Sequence, residues 1–205
     1  MATRTRNYAT VVYPSKEYCE LFSIGLDYDG SDGYGSAPDN WREILSEMCI
    51  PCFISPCHDK DINPDGKFKK PHFHVMLMFD NVKTSEQAQG VFSQIGGVGL
   101  EIVQSIRGYA RYLCHLDNPE KTQYSTDDVV SYGGADYFSV ISLVTDKYAA
   151  ISDMLDYIDS ENINSYFLLL DYARKNRQDW FRVLCDSGSY VIKEAIKSRS
   201  YMLNL

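Results

Sequence analysis

The hydrophobic pattern of the chain changes once, near residues 135–145, and this change divides the sequence into two parts. Before it, segments of alternating apolar residues are interspersed with segments of helical periodicity, which predicts strands and helices in one domain. After it, apolar residues recur only at helical spacing. We therefore expect an α+β domain over residues 1–137 and a small all-α domain over residues 138–205.

Residues 71–79 give the strongest strand signal in the chain. Side chains alternate between the two faces of a strand, so large apolar residues share one face while His72 and His74 share the other with two methionines. The preceding segment contains Asn63-Pro64-Asp65-Gly66, which predicts a tight turn and a hairpin. Such connections favour a mainly antiparallel sheet with helices packed on it. Further strands are predicted at 7–13, 51–55 and 100–103, and helices at 15–22, 41–48, 84–94 and 107–116.

The C-terminal part is predicted to be helical throughout. We expect Gly188 and the polar residues around it to separate the last two helices. The predicted helices are 147–160, 164–176, 178–186 and 188–200.

The net charge of −8 argues on its own against a general nucleic-acid coat protein, because non-specific DNA binding depends on basic side chains. The charge is distributed unevenly. Residues 126–165 have a net charge of −7, residues 166–205 have +3, and residues 1–125 have −4. The acidic excess therefore lies mainly in a connector between the two parts.

No apolar run approaches the roughly 20 residues of a membrane-spanning helix, and the N-terminus lacks the apolar core of a signal peptide. We therefore expect a cytoplasmic protein without membrane contact, whose six cysteines are reduced. Cys49 and Cys52 have zinc-finger spacing, but without a second such pair we interpret them as free thiols. The acidic residues of segment 25–38 miss the register of a calcium loop, which favours a solvated loop.

All four histidines of the chain fall within residues 58–115. His72 and His74 leave the same face of the predicted strand, so their imidazoles can bind one divalent metal. The predicted hairpin brings His58 and Asp61 alongside them. We therefore expect a metal site, with histidines that merely fill a polar sheet face as the alternative. Three nitrogens and one oxygen do not distinguish Mn²⁺, Zn²⁺, Co²⁺ and Mg²⁺.

Two tyrosines, Tyr109 and Tyr112, lie one helical turn apart and are flanked by Arg107, Arg111 and His115. A phenol has a pKa near 10, so it needs a cation or a metal nearby to act as a nucleophile at neutral pH. Arginines beside it also suit a phosphate. This segment therefore predicts a tyrosine nucleophile next to a phosphate-binding surface.

Three segments resemble, in order and spacing, the motifs of rolling-circle plasmid replication initiators (Rep proteins) of the HUH endonuclease superfamily. They are residues 54–61 (ISPCHDKD), 69–75 (KKPHFHV) and 112–115 (YLCH). The resemblance covers about residues 6–137 and, less distinctively, the helical tail. It implies a five-stranded antiparallel sheet flanked by helices, with the His-x-His motif on a central strand. It also implies that the all-α C-terminal domain mediates oligomerisation.

The resemblance also assigns roles by position in these motifs. Tyr112 matches the catalytic tyrosine, Tyr109 is the alternative nucleophile, and His115 receives no role. The implied cofactor is a divalent cation, with Mn²⁺ or Mg²⁺ preferred. The implied metal ligands are His58, Asp61, His72 and His74. The candidate phosphate contacts are Lys67, Lys69, Lys70, Arg107 and Arg111.

The function implied is metal-dependent, site-specific nicking of plasmid origin DNA. Attack by tyrosine would leave a 5′-phosphotyrosyl link and a free 3′-OH that primes synthesis, and the same enzyme would rejoin strands. The implied partners are origin DNA (single-stranded or hairpin, and duplex), the host replication machinery and further copies of the chain.

Three alternatives remain open on the sequence. A DNA-binding repressor with a structural metal would bind without cleavage, and Tyr112 would then be dispensable. A small-molecule enzyme with the same metal site would need an enclosed apolar pocket rather than an open cleft. A conjugative relaxase usually has its tyrosine before the histidine motif, whereas Tyr112 follows it.

Overall fold

The computed structural model describes residues 4–142 and 144–203. The chain divides into two compact units, Met1–Ile141 and Ser142–Leu205. The N-terminal unit contains both strands and helices, whereas the C-terminal unit is helical. The elements of the N-terminal unit are β1 (Arg4–Val12), α1 (Lys16–Phe22), α2 (Trp41–Glu47), β2 (Cys52–Ile54), β3 (Phe73–Thr84), α3 (Ser85–Phe92), β4 (Gly97–Ile102), α4 (Ile106–Tyr112), β5 (Val130–Tyr132) and α5 (Tyr137–Ile141).

The strands form one sheet in the order β4-β1-β3-β2-β5, with every neighbouring pair antiparallel. Within the described residues this confirms the α+β class and the five-stranded antiparallel sheet. The strand that contains His74 is central, as the resemblance implied. Strand β3 pairs with β1 on one side, where Val11 lies opposite His74, and with β2 on the other.

Both faces of β3 are buried over residues 73–77, because helices cover both sides of the sheet there. On one face Phe73, Val75 and Leu77 pack against apolar side chains of α1, α2 and α3. On the other face Met76 packs against residues of α4 and α5. The predicted alternation is therefore confirmed, and its second face forms a smaller core that leaves room for the polar histidines at the start of the strand.

One helix prediction for the N-terminal unit differs clearly from the structure at its C-terminal end. Helix α4 stops at Tyr112 instead of residue 116, and His115 adopts a left-handed conformation with φ of 57°. Backbone strain of this kind at a non-glycine residue is typical of tight turns and functional sites. The short elements β5 and α5 were not predicted, since three to five residues show no clear periodicity.

Segment 25–38 is a loop with exposed acidic residues, as predicted, and it is attached to the rest of the N-terminal unit at a few points. The Gly25 N–H donates to Asp59 Oδ2 at 3.0 Å, and the Gly35 N–H donates to the Pro14 carbonyl at 2.8 Å. Gly35 has no space for a Cβ, which would collide with the backbone of Tyr13. The segment therefore has a fixed path next to the residues that follow His58.

The C-terminal unit consists of α6 (Val144–Ser160), α7 (Tyr166–Asn176), α8 (Gln178–Val183) and α9 (Ser189–Leu203). The predicted break near Gly188 is wrong, because Leu184–Gly188 forms a π-helical segment that runs directly into α9. Its core includes Met154, Leu169 and Trp180. None of the described helices in either unit combines the length and the apolar character needed to cross a membrane.

Candidate functional site

A hairpin brings the predicted metal ligands together beside the central strand. The His58 N–H donates to the His72 carbonyl at 2.8 Å, and the Lys69 N–H donates to the Asp61 carbonyl at 2.7 Å. His74 lies in β3, and its N–H donates to Ser55 Oγ at 2.9 Å. The Asn63–Gly66 turn therefore closes the hairpin as expected and places all four predicted ligands in one region.

Three imidazole rings converge at this point. The ring centroids of His58, His72 and His74 lie 4.9 to 5.3 Å apart, and all three residues are buried. One ligand atom from each of the three lies within 4.8 Å of the others. Imidazole nitrogens at such separations can bind one cation after small side-chain rotations.

The hydrogen bonds of these rings determine which nitrogens retain a lone pair. His58 Nε2 lies 2.9 Å from the Leu113 carbonyl, and His72 Nδ1 lies 2.8 Å from the Lys70 carbonyl. A carbonyl only accepts, so each of these nitrogens carries the proton and the other nitrogen is unprotonated. A backbone carbonyl that orients a histidine in this way is typical of metal ligands.

The free nitrogen of His58 is an orphaned polar atom. His58 Nδ1 is buried and has no hydrogen-bond partner among residues 4–142 and 144–203. Its closest carboxylate oxygen is Asp61 Oδ2, at 3.8 Å. A buried lone pair without a donor costs free energy, and a cation bound there would remove that cost.

Burial keeps these imidazoles neutral. It lowers the pKa of His58 to about 4 and the pKa of His74 to about 2, and it also lowers the pKa of His72. The neighbouring imidazoles lower the pKa of His74 further. Metal ligation requires unprotonated nitrogens, so no protons need to leave these rings at neutral pH before a cation binds.

Asp61 and His115 extend the cluster on the other side of His58. Together with His58 they form a second group whose ligand atoms lie within 4.8 Å of one another. His115 Nδ1 donates to the Thr122 carbonyl at 2.7 Å. The resemblance assigned no role to His115, whose signals in the sequence were its place among the four clustered histidines and its position three residues after Tyr112.

Both candidate nucleophiles reach the cluster from α4. The centroid of the Tyr112 ring lies 5.4 Å from that of the His74 imidazole and 5.3 Å from that of the His115 imidazole. The Tyr109 hydroxyl lies 3.4 Å from His74 Nδ1. Burial, reinforced by Glu101 and Tyr112, raises the pKa of Tyr109.

Two further residues join the site from segment 117–125, and no role was predicted for either of them from the sequence. Lys121 Nζ donates to the Tyr112 hydroxyl at 3.4 Å and lies 4.6 Å from the centroid of that ring. The Tyr124 hydroxyl donates to Asp61 Oδ1 at 3.0 Å. Their signal in the sequence is the short segment KTQY, whose basic and aromatic residues are too few to specify a role.

The predicted phosphate contacts lie around the cluster and not in it. The exposed Lys67 is 3.6 Å from Asp29, Lys70 Nζ donates to the Tyr34 carbonyl at 2.7 Å, and Lys69 lies in the same hairpin. Arg107 is exposed and donates to the Val140 carbonyl at 3.2 Å.

Arg111 is held within the protein. Its guanidinium donates to both carboxylate oxygens of Asp117 at 2.8 and 2.9 Å, and also to the Ile141 carbonyl. The ion pair lowers the pKa of Asp117. Arg111 would have to exchange these partners to bind a phosphate, so its predicted DNA contact stays a prediction.

An open groove of about 580 Å³ leads away from the two tyrosines along β4. Thr10, Val98 and Glu101 line the groove, together with His74 of the cluster and the two tyrosines of α4. It is not the enclosed apolar pocket that a small-molecule enzyme would need.

The residues present fit a divalent cation. The site offers neutral imidazoles with oriented lone pairs, the orphaned His58 Nδ1 and the buried Asp61 carboxylate. Mixed nitrogen and oxygen donors are common for first-row divalent metals.

The chain is similar to known replication proteins along most of its length. Residues 28–137 match the family described as "Plasmid replication protein, origin binding domain". Residues 144–201 match the family described as "Replication protein RepB, C-terminal". The first match includes the histidine cluster and both tyrosines of α4.

Individual replication proteins from several bacteria are similar in sequence to this chain over most of its length. A "Replication protein" of Staphylococcus aureus is 34% identical over 97% of this chain and 91% of its own length. "Replication protein RepB" of Lactiplantibacillus plantarum is 35% identical over 95% of this chain and 81% of its own. "Replication protein RepB" of Streptococcus agalactiae is 24% identical over 71% of this chain and 74% of its own.

Proposed function

The chain belongs to the plasmid replication initiators of rolling-circle type, and we propose that it starts replication by nicking one strand of its origin DNA with Tyr112. The observation that carries this proposal is the position of the Tyr112 ring 5.4 Å from His74, at the edge of the histidine cluster and the end of an open groove. A tyrosine nucleophile and a cation site are thus adjacent where a DNA strand has access.

We assign the cation to a set of four side chains. When bound there, a divalent cation such as Mn²⁺ or Mg²⁺ neutralises charge on the scissile phosphate. The backbone carbonyls of Leu113 and Lys70 keep two of the imidazoles in the tautomer that ligation needs. The proposed ligands are His58, Asp61, His72 and His74.

The reaction is a transesterification. Tyr112 Oη loses its proton to solvent and forms a bond to phosphorus, while the bond from phosphorus to the 3′ oxygen breaks. The 3′ oxygen takes a proton from solvent and becomes the primer end. One phosphodiester is exchanged for another, so the reverse reaction can rejoin the strand without a separate energy source.

Tyr112 is a better nucleophile than Tyr109 by environment. Lys121 Nζ donates to the Tyr112 hydroxyl at 3.4 Å, which places a basic group directly beside this oxygen. Burial and Glu101 instead raise the pKa of Tyr109, which keeps its phenol protonated. We therefore assign the attack to Tyr112 and a packing role beside His74 to Tyr109.

Binding of the DNA strand would use the groove and the basic side chains around it. Ammonium and guanidinium groups suit phosphates, whereas the groove has a mixed polar and apolar lining that suits nucleotides. The proposed phosphate contacts are Lys67, Lys69, Lys70, Arg107 and Arg111.

The test is formation of a covalent adduct. Full-length protein is incubated with Mn²⁺ and a 5′-labelled or 3′-labelled single strand of its origin, then separated under denaturing conditions. We expect the fragment 3′ to the nick to stay attached to the wild-type protein. Tyr112→Phe should reduce adduct formation by about 1000-fold or more, because the attacking oxygen is missing.

Tyr109→Phe is the matched control, since it removes a hydroxyl from the same helix next to the same histidine. It should retain adduct formation within about tenfold. An undiminished adduct with Tyr112→Phe would refute the assignment of the nucleophile. No adduct with the wild-type protein under any divalent cation, despite specific origin binding, would instead support a repressor.

Self-association through the C-terminal unit is part of the same proposal. That unit exposes several large apolar side chains, among them Phe167, Tyr190 and Met202. Exposed apolar groups of this size favour a protein partner. Sedimentation equilibrium of the full chain would detect the oligomer, and a monomer at all concentrations would contradict it.

A further inference from the structure

Tyr124 contacts two of the proposed metal ligands at once. The Tyr124 hydroxyl donates to Asp61 Oδ1 at 3.0 Å, and the hydroxyl oxygen of Tyr124 also accepts from the Lys60 N–H at 3.2 Å. Its ring stacks on the His58 imidazole with a centroid separation of 4.3 Å and an interplanar angle of 2°. The side chain therefore fixes both the carboxylate and the imidazole plane.

The backbone around Tyr124 is held against the same hairpin. The Thr122 hydroxyl donates to the Lys60 carbonyl at 3.0 Å, and the Thr122 carbonyl accepts from His115 Nδ1 at 2.7 Å. Two hydrogen bonds thus join segment 122–124 to Lys60, between His58 and Asp61, and a third orients His115. The position of Tyr124 is consequently determined by the fold and not by a freely rotating loop.

We propose that Tyr124 is a positioning residue of the cation site, which holds Asp61 and His58 in the geometry that ligation requires. This inference rests on the proposed function, because it concerns the same cation. The Tyr124 hydroxyl is hydrogen-bonded to Asp61 Oδ1, so the other carboxylate oxygen, Oδ2, is the one available to bind the cation. Asp61 Oδ2 lies 3.8 Å from His58 Nδ1. Stacking on one side and the Leu113 carbonyl at Nε2 together restrict rotation of the His58 ring.

The direct test is the affinity for Mn²⁺ alone, measured by calorimetric titration of the full-length protein. Tyr124→Phe keeps the ring and removes only the hydroxyl. We expect its dissociation constant for Mn²⁺ to rise by about 10- to 100-fold, which is the usual effect of removing an outer-shell hydrogen bond to a metal ligand. Circular dichroism establishes that the variant is folded.

Tyr137→Phe is a matched control within the same unit. Tyr137 is also a buried tyrosine, and its hydroxyl donates to the Ala110 carbonyl at 2.9 Å, away from the proposed ligands. Its loss should leave Mn²⁺ affinity unchanged. An equal weakening in both variants would overturn the proposal, since the effect would then come from general destabilisation.

A double-mutant cycle with Asp61→Asn tests the route of the effect. If Tyr124 acts through the carboxylate, Tyr124→Phe should weaken binding much less in the Asp61→Asn background than in the wild type. Full additivity would overturn the proposed route, and a wild-type affinity in Tyr124→Phe would overturn the proposal itself.

His74→Ala separates failure of this inference from failure of the proposed function. In that variant we expect Mn²⁺ binding to be lost. If the wild type and His74→Ala bind Mn²⁺ equally, or neither binds it, the proposed cation site is wrong and the role of Tyr124 falls with it. If only the wild type binds and Tyr124→Phe matches it, the cation site stands and the positioning role is refuted.

Discussion

At the residue scale, the cluster combines strong burial with groups that are usually solvated. His58 is fully buried, and His72 and His74 are each 9% exposed. Desolvation disfavours the imidazolium form, so these side chains are stable in the fold only as neutral rings. The same condition that prepares them for a cation makes the cation-free protein sensitive to acid.

The first prediction follows from the lowered pKa values of His58 and His74, about 4 and about 2. Below pH 6.5 the unfolded chain binds protons that these folded imidazoles do not bind. The free energy of unfolding should therefore fall as the pH falls, by about 1.4 kcal/mol per pH unit for each histidine that stays neutral. Urea unfolding with a chelator at pH 7, 6 and 5 measures this loss.

His74→Ala provides the control for that titration. It removes one of the neutral rings, so the dependence on pH between 6.5 and 5 should become shallower by about 1.4 kcal/mol per pH unit. A wild-type stability that is constant over this interval would contradict the burial argument.

At the element scale, α4 determines how the two tyrosines face the cluster. Residues Tyr109 and Tyr112 lie one turn apart, and their ring centroids are 5.8 Å from each other. The helix starts at a capped N-terminus, where Ser105 Oγ accepts from the Gly108 N–H at 3.0 Å. It ends just after Tyr112, before the left-handed turn at His115. Both ends of a seven-residue helix thus influence the position of the proposed nucleophile.

Ser105→Ala removes the capping hydrogen bond of α4. We expect the free energy of unfolding to fall by about 1 kcal/mol, within the usual range for loss of an N-cap side chain. Asn40→Ala is the comparison, because Asn40 occupies the N-cap of α2 but its side chain makes no capping bond within the part of the chain that the structure describes. Chemical denaturation of both variants should show the smaller loss for Asn40→Ala, and equal losses would contradict the capping role.

At the scale of the whole molecule, an acidic protein binds a polyanion. Most of the net charge of −8 lies in residues 126–165, which follow the proposed cation ligands and both candidate tyrosines in the sequence. The basic candidates for DNA contact instead lie in the hairpin and on α4. A site that relies on one cation and a few local basic groups would bind arbitrary DNA weakly, which suits an enzyme that acts at one origin.

The salt dependence of origin binding tests this distribution of charge. For a single strand, the logarithm of affinity should fall with the logarithm of salt concentration, with a slope of about −0.7 for each phosphate contact. Lys67→Ala should make the slope shallower by about 0.7, as measured by fluorescence anisotropy. Lys16→Ala removes an exposed lysine from α1 that pairs with Glu20 and is outside the predicted contacts, so it should leave the slope unchanged.

If the slope of affinity against salt concentration became equally shallow in both lysine variants, the effect would be general electrostatics and not a contact at Lys67. A slope near zero for the wild type would contradict phosphate contacts by any of the proposed basic residues.

The sequence by itself determined the features that depend on local patterns. The period of a strand places His72 and His74 on one side of β3, and the Asn63–Gly66 turn brings His58 back beside them. Ordered motifs along the chain also indicated the family and the five-stranded sheet.

Only the tertiary structure decided which distant residues complete the site. His115 and Tyr124 lie 57 and 66 residues after His58, whose ring both of them contact, and no local periodicity relates such positions. Arg111, which the sequence placed with the phosphate contacts, turns to Asp117 because folding brings α5 and that carboxylate within reach of its guanidinium. Local spacing fixes which face a side chain leaves, whereas its partners across the site depend on how separate elements pack.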